Sequence, residues 1–174
     1  LYLSTLEEAD CRIIREQGYN PEAKAVFQYD FLSEVELGPK VPEGLRRAFE
    51  EGKPVLFIIN PPFGTSCGGP SAHTKLKSGV AKNAVNVYMV KQKMGLACRQ
   101  LYAQFLYKIA CIKHCRTNIG LFSPPMFLTT TTFSTFQNLF LGRFDFCGGM
   151  LFRASEFVNV KANWGNSFTL WRYT

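Results

Sequence analysis

Asn60 stands at the end of the apolar run VLFII and is followed by Pro61, Pro62 and Phe63. Prolines cannot donate to a sheet ladder, so the pair ends an extended segment abruptly. Their fixed φ also stiffens the backbone that carries the two flanking side chains. Asn60 brings an oxygen acceptor and an amide donor, and Phe63 a flat ring suited to stacking on a base. A rigid acceptor beside an aromatic plate is a site for a planar amine. A strand-ending turn with a buried phenylalanine is the plainer use of the same four residues.

Other chemistry-bearing residues are scattered more loosely. The stretch 64–94 is polar and carries Lys75, Lys77, Lys82, Lys91 and Lys93. It reads as a long loop, and long loops are usually functional. Each lysine can either face solvent or add to a salt-dependent attraction for phosphates. Cys111, His114 and Cys115 lie within one helical turn, but no second ligand pair has the usual zinc spacing. Ordinary packing is the expected role there, and no metal site is assigned. His73 has no evident acidic partner and reads as a loop residue.

The elements that must position Asn60 follow from the hydropathy pattern. LYLSTL reads as a strand, then EEADCRIIREQG as a helix capped by Ser4 or Thr5 and stopped at Gly18. AKAVFQYDFL reads as a second strand ending near Asp30. LRRAFEEG is a short helix, and VLFII a third strand apolar enough to be buried on both faces. This βαβαβ order predicts a parallel sheet with right-handed crossovers. Asp30 and Asn60 then both fall at carboxyl ends of strands, where such sheets bind ligands. Further on, LACRQLYAQFLYKIACI has helical spacing, and NIGLFSPPMFL is a strand ended by prolines. A helix begins near Phe133. FDFCGGMLFRA and SFTLWRYT read as two closing strands, with Trp164 and Trp171 anchoring the hairpin. Phe122, Phe127, Phe133, Phe136, Phe140 and Phe144 are expected to fill the core.

Composition sets the outer bounds. The chain has 174 residues, is 47% hydrophobic and 14% aromatic, and so is expected to fold as one domain with a sizeable core. Its formal charge of +7 favours a polyanionic partner, nucleic acid before an anionic membrane surface. No apolar run approaches the roughly 20 residues of a bilayer-spanning helix. The six cysteines lack regular spacing, which fits a reducing, cytoplasmic interior.

NPPF after an apolar strand resembles the catalytic motif of amino-group methyltransferases that use S-adenosyl-L-methionine. The ordered set STLEEAD, FQYDFL, INPPFGT, LYAQFLYKI, LFSPPMFL, FQNLFLGRF and NWGNSFTLWR resembles the N6-adenine DNA methyltransferases of restriction–modification systems. That resemblance covers most of the chain. It implies a Rossmann-like class I methyltransferase fold, α/β, mostly parallel, with an antiparallel C-terminal hairpin. The side-chain oxygen of Asn60 and the carbonyl of Pro61 would accept the two hydrogens of the adenine amine, and Phe63 would stack on the flipped base. Asp30 would accept from the cofactor adenine amine, Phe31 would pack on that ring, and Glu7 is the nearest acid for the ribose hydroxyls. The 64–94 segment would close over the base, with its lysines on double-stranded DNA.

One departure matters. The family carries a glycine-rich loop after an earlier strand, and nothing before LYLSTL supplies it. CGGP at 67–70 follows the catalytic motif, and CGGM at 147–150 lies in a late strand. Residues 1–174 are therefore expected to be a single partial catalytic domain, completed by an upstream segment or a specificity subunit. An RNA or protein-amide methyltransferase, and a truncated module that only binds DNA or a partner, are the alternatives.

Overall fold

The structure is a computed structural model, and it describes residues 1–18, 25–33, 36–62, 83–112, 116–156 and 164–174. β1 (Tyr2–Thr5) leads into α1 (Glu8–Glu16), and β2 (Ala25–Gln28) returns parallel to β1. α1 starts at Glu7 without a side-chain cap. Ser4 and Thr5, expected as caps, lie in β1 instead, and the Thr5 hydroxyl donates to Asp10. The helix ends at Gly18, whose φ of +61° puts it in the left-handed region that favours glycine.

α2 (Glu43–Glu50) begins directly after Pro42, with Glu43 in its first turn and an i,i+4 ion pair from Arg47. Phe49 is buried and stacks on Phe57 of β3 (Val55–Ile59) at 6.1 Å. The described strands form two sheets. β1 and β2 make one, and the other has the order β3-β4-β6-β5. β3 and β4 (Thr117–Ser123) are parallel. β5 (Phe144–Arg153) and β6 (Gly165–Tyr173) close the sheet as an antiparallel hairpin, with a bulge between Phe146 and Gly148. This is an α/β chain with a mixed sheet flanked by helices. The expected antiparallel finish is present, whereas among the described residues the expected parallel sheet is split into the β1–β2 and β3–β4 pairs.

Between β3 and β4 lie α3 (Ala84–Lys91) and α4 (Leu101–Cys111). The loop expected over 64–94 therefore needs correcting at its end. Asn83 caps α3 through its side chain, which accepts from the Asn86 amide at 2.7 Å, and Val85 and Met89 are buried one turn apart. Five lysines and several glycines and serines had hidden that apolar i,i+4 pair. After β4, α5 (Met126–Thr129) and α6 (Ser134–Leu141) pack Phe127, Phe136 and Phe140 onto Trp171 and Phe144. Phe122 departs from the expected aromatic core. It lies half-buried on the other side of the sheet, 4.6 Å from Phe168.

β3 also differs from expectation. Leu56 is 58% and Ile58 69% exposed, so the strand is not buried on both faces. An apolar run shows that a strand is compatible with double-sided burial. It does not supply the second layer, and no described helix covers that face of β3.

Candidate functional site

Asn60 follows the last residue of β3 and is exposed. Pro61 is buried and Pro62 exposed. The motif thus leaves the sheet with one proline packed inside and the asparagine side chain outside. That arrangement fixes the backbone under an accessible acceptor. Phe63, Lys75, Lys77, Lys82 and His73 lie outside the described residues, as do His114 and Cys115.

Asp30 lies two residues beyond β2, and its carboxylate is exposed. Its Oδ1 accepts from the Leu32 amide at 3.0 Å, and its carbonyl accepts from the Ser33 hydroxyl at 2.8 Å. This is an Asx-type turn, which orients an aspartate without burying it. The amide of Tyr29 donates to the Thr5 carbonyl at 2.8 Å. The carboxyl ends of β1 and β2 are thereby tied together. Glu7 is exposed at the start of α1, just beyond the same end of β1.

Phe31 connects this turn to the rest of the molecule. Its ring is 6.2 Å from Phe57 of β3 and stacks on Phe105 of α4 at 5.2 Å and 12°. Three residues along α4, Lys108 is fully buried. Its Nζ lies 4.7 Å from the centre of the Phe31 ring and 5.1 Å from that of Tyr29, and donates to the Tyr29 hydroxyl at 3.1 Å. The same hydroxyl accepts from the Gly38 amide at 3.3 Å. Burying an ammonium is costly unless it is held by acceptors and ring faces. Sequence reading missed Lys108. The available signal was its position as the one charge in LYAQFLYKIACI.

The structure therefore brings the Asp30 turn against β3, the strand that ends at Asn60. The segment after the motif is anchored at its far end by buried polar groups. Asn83 donates to Gln104 at 2.7 Å, Gln104 donates to the Cys98 carbonyl at 2.8 Å, and Asn86 donates to that same carbonyl. Of the expected DNA-facing lysines, Lys91 and Lys93 are described and exposed. They occupy the end of α3 and its left-handed cap, where Lys93 has φ +56°, and not an open loop.

Cys111 faces the hydrophobic core, and burial pushes its thiol above the ordinary range. That favours the protonated form over a metal-binding thiolate. Among the described residues no three His, Cys, Asp or Glu side chains gather into a metal-sized group. No described helix is long and apolar enough to cross a membrane.

No known protein family matches the chain, and no curated protein matches it at a significant level.

Proposed function

We propose that the chain carries the amine-binding half of an S-adenosyl-L-methionine-dependent N6-adenine DNA methyltransferase of Rossmann-like class I type. The observation that carries this reading is the exit of β3. Asn60 is exposed on a backbone held by the buried Pro61, and the Asp30–Phe31 turn is packed against the same strand.

An exocyclic adenine amine is a poor nucleophile, because its lone pair is delocalised into the ring. Acceptance of its two hydrogens by the Asn60 oxygen and the Pro61 carbonyl favours a more tetrahedral nitrogen. The lone pair is then localised and directed. Phe63 would stack on the base once it has left the duplex. The residues act by alignment and by fixed dipoles.

The described residues fit the cofactor expected here. Asp30 offers an exposed, oriented acceptor beside the half-buried ring of Phe31, which suits an adenine with its amine. Glu7 is an exposed carboxylate suited to ribose hydroxyls. S-Adenosyl-L-methionine supplies an electrophilic methyl group when bound. Lys91 and Lys93, with Lys75, Lys77 and Lys82, add to the attraction of a +7 chain for double-stranded DNA. Among the described residues Cys11, Cys111 and Cys147 are free thiols, which suits the cytoplasm.

The second reading is a module that binds DNA or a partner without turning over by itself. It is favoured by β3. Among the described residues β3 has no strand on its outer edge, and Leu56 and Ile58 lie open. An upstream segment or specificity subunit adding a strand and a covering helix would complete this edge. Transfer of labelled methyl groups to adenine-containing DNA, to RNA and to protein separates the readings. Activity on DNA that falls about 10²–10³-fold or more in Asn60→Ala supports the methyltransferase. Full activity in Asn60→Ala refutes it, and salt-dependent DNA binding without transfer supports the module.

A further inference from the structure

Lys108 is the one charged side chain of α4 and is fully buried, one turn beyond the buried amide of Gln104. It lies over the two aromatic residues that flank Asp30 in the chain. Phe105, one turn earlier on α4, stacks on the second of them. The turn is thus gripped on both sides of the aspartate by one face of one helix, while the carboxylate itself stays exposed.

We propose that Lys108 is a positioning residue for the Asp30 turn. It holds Tyr29 and Phe31 so that the carboxylate is presented in one orientation to the ligand of that turn. This deepens the cofactor role given to Asp30 above and rests on it. The chemistry explains the residue type. A hydrophobic side chain of the same length fills the space but grips neither the Tyr29 hydroxyl nor the two ring faces directionally. Lysine gives one donor to the hydroxyl and one positive centre between the rings. Methionine fills a similar volume without the charge or the donor, and exchange followed over the whole fold reports any general loss of stability. Lys108→Met therefore separates positioning from bulk stability.

The test uses the 174-residue chain in four forms: wild type, Lys108→Met, Lys108→Arg and Asp30→Ala. Hydrogen exchange is followed peptide by peptide, and S-adenosyl-L-methionine binding is measured by calorimetry. The expected result for Lys108→Met is exchange about tenfold faster in residues 29–33, with β4, β5 and β6 as protected as before. Its affinity for S-adenosyl-L-methionine falls about tenfold, in the direction of Asp30→Ala, and Lys108→Arg recovers part of both effects. Unchanged exchange at 29–33, or a rise spread evenly over the whole fold, overturns the proposal. So does wild-type affinity in Lys108→Met when Asp30→Ala has lost binding. A local rise at 29–33 with no binding by any form upholds the positioning role and overturns the cofactor reading instead.

Discussion

The two faces of the four-stranded sheet are built from alternate residues of the same strands, yet they differ sharply. On one face Ile119, Leu121 and Trp171 are buried under α4, α5 and α6, with Phe127, Phe136, Phe140 and Phe144 packed among them. On the other, Ile58, Gly120 and Leu170 stand side by side across the sheet, and Phe122, Phe168 and Met150 form the next row. That second face is also apolar, but Ile58, Met150 and Leu170 are exposed and the phenylalanines only half-buried. Both sides of the sheet therefore carry apolar residues, and helices decide which side is a core. Stability should come from the covered face, while the open face holds apolar area that contributes little in this chain alone.

The strongest way to break the comparison is Phe140→Ala. The Phe140 ring is fully buried and meets Phe127, Phe136, Phe144 and Trp171. Its removal leaves a cavity and should cost about 3–5 kcal/mol in denaturant unfolding. A loss under 1 kcal/mol would mean that the helices do not form a tight layer on the sheet.

Tyr102 sharpens the same side from the opposite direction. Its hydroxyl is buried without a hydrogen-bond partner among the described residues. Such a group carries a desolvation penalty, so Tyr102→Phe should gain about 1 kcal/mol. Burial also drives its pKa well above the ordinary value near 10, and burial does the same, with Cys111 adding, for Tyr107. The fold keeps a proton that the unfolded chain releases. The contribution is complete below about pH 10 and declines as pH rises from there toward the folded value. Unfolding curves at pH 8, 10 and 11 should show that decline, and Tyr102→Phe should make it shallower.

Much of this covered layer was legible in the sequence. The phenylalanines from 127 to 144 were expected in the core, and the closing hairpin was expected from its two apolar runs. So was the exit of β3, because two prolines leave few options after an apolar run. The open face was not legible, since VLFII reads the same whether one side or both are covered. The cap of α3 was lost among lysines. Lys108 was hidden because one-dimensional reading sees a lone charge as a solvated one, and only the fold puts it over Tyr29 and Phe31.

Gly120 tests how much room the open face has. A methyl group added there would sit 3.4 Å from the Phe168 ring and 3.7 Å from Ile58, which is ordinary contact. Its backbone does not need glycine, as its φ is not in the left-handed region. Gly120→Ala removes unfolded-state freedom and fills a shallow gap between apolar neighbours. A gain of about 0.5 kcal/mol is expected by thermal or denaturant unfolding. A loss above 1 kcal/mol would mean that this face is already packed as tightly as the other.

The smallest effect belongs to Ile58→Ser. In most strands an isoleucine changed to serine would lose a core contact, and Ile119→Ala on the covered face should cost about 2–5 kcal/mol. Ile58 is 69% exposed and already meets water, so its replacement should change the stability of this chain by less than about 0.5 kcal/mol. The pair of measurements is informative because the two residues lie on adjacent strands. Similar losses at both would show that Ile58 is covered in solution by something that the described residues do not include. A negligible loss at Ile58 beside a large one at Ile119 would fix the asymmetry. Any cost of Ile58→Ser that then appears only when an upstream segment or subunit is added would locate that partner on β3.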